Sequence, residues 1–360
     1  MKVAMVMGTS AGGTGRHVHD LVQGLVGDGH DVVVLAPVGE LDQFDFAGAG
    51  AATVKLTVTD RPQPKGDARA LATLRDVCGG ADVVHAHGAR VGALATLALV
   101  GVATPLVVTI HNASPGGGFA GRVHAVLERV VARGADLVLG VSADIVKDQL
   151  HLDAKRSELA VIAAPSPAAV TRDRYAVRRD LGMDARTMLL VTVARLAPQK
   201  DLDLLIDAVA EMLGRHDIAV LAAVAGDGPD RERLQLRIDA RRVPVRLLGH
   251  RTDVADLIAA ADAVVSTARW EGQPVGLQEA LHSGAAIVAT DAGGTGAVVG
   301  DAAILVPVGD VASMARALAD VLLHGAVRDD LRSRAIGRGA ELPTSADALE
   351  AALTAYRSVL

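Results

Sequence analysis

Aromatic side chains are scarce in this chain of 360 residues: one Trp, two Tyr and three Phe, or 2% of the total. Half of the residues are hydrophobic all the same, at 50%, so the cores have to be built from Val, Leu, Ile and Ala. Short continuous runs of such residues suit the strands of parallel sheets that helices cover on both faces. Cysteine is nearly absent. The single Cys78 excludes internal disulfides and cysteine-based zinc sites, and it fits a reducing compartment. An excess of basic charge is lacking too: 36 Lys and Arg stand against 42 Asp and Glu, a net charge of -6. That leaves no electrostatic footprint for nucleic acid, although a small local basic patch for anionic lipid stays open. No long apolar run is present. The longest stretch without Asp, Glu, Lys or Arg covers residues 91–121, and it contains Gly92, Gly101, Pro105, His111, Asn112 and three consecutive glycines. A buried helix followed by a buried strand explains it better than a membrane span, which needs about 20 predominantly apolar residues. Met1-Lys2-Val3 runs straight toward a strand without a cleavage-type segment, so a secretory leader is not expected.

What is present is a pattern that occurs twice. The length points to two domains of ordinary size. An apolar run at 3–7 ends in Gly8-Thr9-Ser10-Ala11-Gly12-Gly13-Thr14-Gly15. Val18, Leu21, Val22 and Leu25 then recur at helical spacing up to Gly27 and Gly29, and 31–36 reads as a second strand. This is a strand–loop–helix–strand unit of the doubly wound type. Residues 38–55 read as loop plus one strand, 61–66 as a polar linker, and 67–78 as a helix. Residues 83–87, 105–110 and 137–141 read as further buried strands with helices between them. Two prolines in Ala163-Ala164-Pro165-Ser166-Pro167 break any element, and the pattern then restarts. Strands are expected at 187–193, 219–225, 245–248, 262–267, 285–290 and 303–306. Helices are expected at 175–181, 201–213, 231–241, 254–261, 275–283, 311–323 and 346–359. The expected division is a first doubly wound α/β domain at 1–165, a linker at 166–186, a second at 187–340, and a terminal helix at 341–360 that packs back on the first. Ligands of such sheets bind at the carboxyl ends of strands.

Several loops carry candidate chemistry. In Trp270-Glu271-Gly272-Gln273-Pro274-Val275-Gly276-Leu277-Gln278-Glu279, Pro274 suits the first helical position, where its missing N–H is no loss. Glu279 then falls about 7 Å down the helix axis. One acid at the helix mouth and one down its side either grip two ends of a long ligand or are surface charges. A diphosphate between them would meet a helix N-terminus, which favours anions. Gly12-Gly13-Thr14-Gly15 is either a phosphate cradle or a tight turn. It lacks the Lys-Ser/Thr of a P-loop and the third glycine of a dinucleotide fingerprint. Arg195 and Lys200 follow the first strand of the second half, and they suit a diphosphate or are solvated loop charges. Asp201-Leu202-Asp203 matches a short metal-bridging pattern, but it opens a helix, where capping is the expected role. Asp227 in Gly226-Asp227-Gly228-Pro229 is expected to stabilise a turn. His85, His87 and His111 end strands of the first half without acidic partners at helical spacing, so no metal site is expected there.

In order along the chain, Gly12-Gly13, His111, Arg195, Lys200, Gly226-Asp227-Gly228, Leu248-Gly249-His250, Glu271-x7-Glu279 and Ala289-Thr290-Asp291 before Gly293-Gly294 form a set. That set resembles the retaining family-four glycosyltransferases of the GT-B fold (glycosyl transferases group 1). The resemblance covers nearly the whole chain. It implies two Rossmann-like domains facing a crevice, and hexose transfer from a nucleoside-diphosphate sugar to an acceptor hydroxyl. By this similarity Glu279 would hold the nucleotide ribose. Arg195 and Lys200 would bind the diphosphate with the amides of Gly12 and Gly13. Glu271, with Gly272, Pro274 and the amides of Gln273 and Val275, would face the donor sugar, and His111 would lie near the reacting centre. No metal or other cofactor is implied. The implied acceptor is a sugar, a lipid-linked molecule or a small molecule. The implied setting is cell-envelope or exopolysaccharide synthesis in a bacterial cytoplasm, with peripheral attachment at the inner membrane face. The sequence departs from the family pattern in three places: the segment Ala164-Pro165-Ser166-Pro167 replaces an Asn-Gly-Val-Asp turn, Ala297 stands where a glutamate is common, and Gln273 replaces a frequent Phe. Two other readings keep the donor site: epimerisation of a nucleotide sugar, and a donor-binding module without turnover.

Overall fold

The computed structural model describes residues 1–10, 12–59, 63–113 and 118–360, with the backbone alone at 119 and 120. Ala11 of the glycine loop, Arg61 and Pro62 of the expected linker, and two of the three consecutive glycines lie outside the described residues. The chain divides into two compact units, Met1–Ala163 with Pro343–Leu360, and Ala164–Leu342.

The first unit runs β1 (Lys2–Met7), α1 (Gly13–Gly27), β2 (Asp31–Ala36), α2 (Val38–Phe44), β3 (Ala52–Lys55), α3 (Pro64–Cys78), β4 (Val83–His87), α4 (Ala89–Ala98), β5 (Leu106–Ile110), α5 (Gly118–Gly134), β6 (Leu137–Gly140), α6 (Ala143–His151) and β7 (Ser157–Leu159). Its parallel sheet has the order β3-β2-β1-β4-β5-β6-β7. From β1 the chain steps one way through α1, and from β3 onward it steps the other way. Right-handed crossovers therefore put α1 on one face and α3 to α6 on the opposite face. Strands β1, β4 and β5 are buried along nearly their whole length, with the polar His85, His87 and Thr109 buried among their apolar residues.

The second unit runs α7 (Arg174–Asp180), β8 (Met188–Val193), a 3-10 turn (Pro198–Lys200), α8 (Leu202–Leu213), β9 (Val220–Ala225), α9 (Arg231–Arg241), β10 (Val245–Gly249), α10 (Val254–Ala260), β11 (Ala263–Ser266), α11 (Val275–His282), β12 (Ile287–Thr290), α12 (Thr295–Val299), β13 (Ala303–Val306), α13 (Val311–Leu323) and α14 (Gly325–Ala340). The sheet order is β10-β9-β8-β11-β12-β13, again parallel. Leu205, Val209, Met314 and Leu318 build a core under α8 and α13. Val177, Leu257, Leu277 and Ala335 build the other, under α7, α10, α11 and α14. Asp262, buried at the foot of β11, takes Arg178 Nη1 at 3.0 Å and the Leu189 N–H at 2.7 Å, so α7 is fastened to the sheet. The final helix α15 (Ser345–Arg357) starts with a Thr344–Asp347 capping box and belongs to the first unit. There Ala348, Ala352 and the fully buried Tyr356 pack with Met5, Leu21 and Val107 on the α1 face.

Residues 38–55 differ from expectation. They hold a helix as well as a strand, because Pro37 sets the entry to α2 while Phe46 behind it is fully buried. Helix α3 starts at Pro64, inside the expected linker, with proline in the first turn where it costs no hydrogen bond. β7 and α14 carried no apolar signal: β7 is a partly exposed edge, and α14 buries only Leu331, Ala335 and Gly339.

Candidate active site

In the second unit the direction of winding reverses between β8 and β11, the place in an open α/β sheet where ligands bind outside the carboxyl ends of the strands. The loops that follow these two strands are laced together. Gln199 Nε2 donates to the Trp270 carbonyl at 2.8 Å, the Arg269 N–H to the Gln199 carbonyl at 2.8 Å, and Thr267 Oγ1 to the Lys200 carbonyl at 2.9 Å. Lys200 Nζ donates to Glu271 Oε1 across the same seam. Glu271 is only 8% exposed, which a carboxylate tolerates because its counter-ion comes with it. Arg195, on the β8 side, is exposed.

Two glycine sites fix these loops from the sides. A Cβ on Gly226, whose φ is 142°, would lie 2.0 Å from the Ala194 carbonyl oxygen, and one on Gly228 would lie 2.3 Å from that of Leu196. The turn after β9 therefore presses bare backbone against the loop that carries Arg195. Asp227 Oδ1 accepts the Gly228 N–H at 2.8 Å and stabilises the turn itself. On the far side, Gly293 at φ 57° approaches the Glu271 carbonyl so closely that a Cβ would lie 2.3 Å from it, and the Gly294 N–H donates to that carbonyl at 2.7 Å.

Pro274 is the residue before the first turn of α11 and not its first helical residue, a correction by one position: its ψ of 88° is not helical. Its carbonyl accepts from Leu277 and Gln278. The Val275 and Gly276 amides stand in the first turn, where an intrahelical acceptor is lacking by geometry. Glu279 is half-buried on this helix, between the buried Gln278 and Ala280. Gln273 Oε1 accepts from Gln278 Nε2 at 3.0 Å, and Gly272 is buried beside Glu271.

The expectation that Asp201-Leu202-Asp203 caps α8 through its side chains is corrected. Asp201 precedes the helix at φ 43° but makes no cap bond, and its carboxylate takes Arg269 Nε at 2.9 Å. Asp203 receives Arg233 at 2.9 and 2.8 Å, and these hydrogen bonds hold its carboxyl below the usual range. Both acids are committed to arginines.

In the first unit the winding reverses between β1 and β4. Gly12, at φ 73°, is the residue before α1, and Gly13 opens the helix. Ser10 Oγ accepts the Gly15 N–H at 2.9 Å, while the buried Glu40 accepts the Ser10 N–H at 3.3 Å. His111 follows β5 directly and is half-buried. Strand alternation places His85, His87, Thr109 and His111 on the α1 face, and three of these histidines gather with His17 of α1. His87 Nδ1 lies 3.1 Å from His111 Nε2. The His85 and His87 rings lie against each other at a tilt of 37° with centroids 4.1 Å apart, and His17 meets His87 and His111 edge-on at 5.8 and 5.9 Å. His85 is clamped at both nitrogens, by Tyr356 Oη at 2.8 Å and Thr109 Oγ1 at 2.8 Å. Burial lowers the pKa of His17 to about 4 and that of His85 to about 3. Burial, then repulsion from neighbouring imidazolium, lowers His87 and His111 well below the ordinary value. At neutral pH these rings are uncharged hydrogen-bonding groups. Among the described residues no group of three or more His, Cys, Asp or Glu is placed to hold a metal ion. The sequence reading missed His17, Glu40 and Tyr356; for His17 the available signal was its place among the apolar positions 18, 21, 22 and 25 of α1.

Residues 12–165 match the glycosyl transferase 4-like domain, and residues 173–338 match glycosyl transferases group 1. Over 351 residues the chain is 30% identical to glycogen synthase of Mycobacterium tuberculosis, covering 86% of this chain and 82% of that protein. The chain belongs to the group 1 glycosyltransferases. Another relative of this glycosyltransferase is the phosphatidyl-myo-inositol mannosyltransferase of Mycolicibacterium smegmatis, 28% identical over 358 residues, with 95% of this chain and 89% of that one covered. Among solved structures, HepE from Anabaena in complex with UDP aligns at a TM-score of 0.82 and 19% identity, covering 99% of this chain and 100% of that one. At that identity the likeness speaks for the fold: two Rossmann-like parallel-sheet units of the GT-B class. No described helix of the glycosyltransferase is long and apolar enough to cross a membrane.

Proposed function

We propose that this glycosyltransferase moves a hexose from a nucleoside-diphosphate sugar to an acceptor hydroxyl, with retention at the anomeric carbon. The observation that carries the reading is the seam of the second unit, where Lys200 pairs with Glu271 beside the first turn of α11 and the exposed Arg195. Two cations and free helix amides at one topological switch point suit a leaving diphosphate, and they can neutralise it without a metal ion. In this reading Glu279 holds the ribose. Glu271, Gly272 and the Gln273–Val275 segment face the sugar, and the Gly12 and Gly13 amides add donors to the phosphates. HepE was crystallised with UDP and with UDP-glucose, which supports a uridine nucleotide as a first donor to try.

The bond from the anomeric carbon to the phosphate oxygen breaks, and the acceptor oxygen bonds the same face. The acceptor proton goes to the leaving phosphate. Uncharged His111 then needs to be no base. The acceptor is assigned to the first unit as a sugar, lipid-linked or small-molecule hydroxyl, and the cytoplasmic face of a membrane as the place of work.

A thermal-shift panel of nucleoside-diphosphate sugars selects the donor, and the anomeric configuration of the product, read by NMR, tests retention. An inverted product overturns the same-face route. Donor consumption without any acceptor product overturns transfer. Loss of turnover in a chelator overturns metal independence. For Glu279→Ala, calorimetry with the nucleotide is expected to show affinity roughly tenfold lower or worse, the cost of one lost charge-assisted hydrogen bond.

A further inference from the structure

We propose that His87 sets the tautomer of His111, so that His111 presents an Nδ1–H donor to the reacting sugar and does not act as a base. The inference rests on the reading of His111 as a group of the reacting centre. It starts from the contact of 3.1 Å between His87 Nδ1 and His111 Nε2. Both rings are neutral at pH 7, so a single proton lies between these nitrogens and one ring donates.

There are two arrangements. If His111 donated from Nε2, the proton of His87 would have to sit on its own Nε2. That nitrogen is buried and meets no hydrogen-bond partner among the described residues. A buried orphan N–H would result. If His87 donates from Nδ1, the same Nε2 holds only an unshared lone pair. Orphaned buried N–H groups are rarer than under-satisfied acceptors, and losing a donor's partner carries the full desolvation cost. The second arrangement is therefore the stable one. His111 accepts at Nε2, its own proton is placed on Nδ1, and its free edge is a donor. The hydrogen bond at one ring nitrogen fixes the state of the other.

The pose of His87 is itself held. Its ring lies against that of His85, whose two nitrogens are taken by Tyr356 and Thr109, and His17 closes the edge. His87 is thus a positioning residue, reached from the last turns of α15. A donor at this point suits a sugar hydroxyl or a leaving oxygen, and it leaves the acceptor proton to the phosphate.

The test uses the full chain with 15N-labelled histidine. In the wild type, the His111 resonances at pH 7 are expected to show a protonated Nδ1 and a bare Nε2. In His87→Leu, His111 is expected to revert to the Nε2–H form that a free histidine side chain favours. In His87→Asn, the side-chain amide can replace the Nδ1–H and is expected to keep the wild-type tautomer. Turnover of UDP-glucose should fall roughly tenfold or more in kcat for the leucine variant, with KM little changed, and recover in the asparagine variant. An Nε2–H form of His111 in the wild type, or a tautomer indifferent to His87→Leu, overturns the proposal. A tautomer that follows His87 while UDP-glucose turnover stays at the wild-type rate removes His111 from the reacting centre and overturns the catalytic half alone.

Discussion

At the scale of single residues, the Lys200–Glu271 pair has two jobs that can be separated. It joins the loops after β8 and β11, and in the proposed reading it puts a cation beside the diphosphate. Removing one partner leaves the other charge largely buried. Lys200→Ala is therefore expected to destabilise the second unit by about 1–3 kcal/mol in urea unfolding, and also to abolish donor turnover. The double variant Lys200→Ala with Glu271→Ala should regain much of that stability, since no unpaired charge remains, yet stay inactive. If turnover survives in Lys200→Ala, the diphosphate role is lost. Asp262 makes the same point away from the site. Its carboxylate meets Arg174, Arg178 and a backbone amide, so Asp262→Ala should cost about 3 kcal/mol in unfolding while donor affinity, read by calorimetry, stays unchanged.

At the scale of elements, the two glycine contacts show how neighbouring loops hold the seam. A Cβ at Gly228 would run into the Leu196 carbonyl, which is backbone and cannot swing aside. Gly228→Ala is thus expected to displace the Arg195 loop and weaken nucleotide binding by calorimetry, with far-UV circular dichroism unchanged. Wild-type affinity would show that the loop absorbs the methyl group. Tyr356→Phe tests α15 in the same way. It strips His85 Nδ1 of its partner inside the core, and a loss of about 1–2 kcal/mol is expected in urea unfolding. Elements of this kind divide sharply in how far the sequence discloses them. β4, α9, β13 and α13 keep the expected bounds: Asp82 and Gly88 flank β4, Pro307 follows β13, and Asp230 and Asp310 stand directly before α9 and α13. α14 stayed hidden because only Leu331, Ala335 and Gly339 on it reach the core. At the site, the loops after β8 and β11 were legible as strand ends. The Lys200–Glu271 pair was not, since nothing local joins residues 71 apart. Asp201 misled for a related reason: its cap position was visible in the sequence, and its arginine partner, Arg269, was not.

For the whole molecule, the buried histidines make the two units respond differently to acid. His17, His85 and His87 have folded pKa values below that of the unfolded chain, about 6.5, because burial disfavours the charged ring. Above pH 6.5 neither state binds these protons, and stability is unaffected. As pH falls below 6.5, the unfolded chain takes up protons that the folded unit refuses. Stability is then lost at up to about 1.4 kcal/mol per pH unit for each ring, until pH reaches the folded value of about 4 for His17 and about 3 for His85. In the second unit the shifted carboxylates Asp203, Asp253 and Asp262 are lowered from 3.8, so their stabilising effect persists until pH falls below about 4. Between pH 7 and pH 5 the first unit alone should weaken. Hydrogen exchange on the full chain, read peptide by peptide and corrected for the intrinsic rate, is the measurement. Protection is expected to drop in β1, β4, β5 and α15 and to hold in β8, β9 and β11. Equal loss in both units would mean that the histidine cluster is not what sets the acid response, and that some proton-linked coupling spreads through the entire chain.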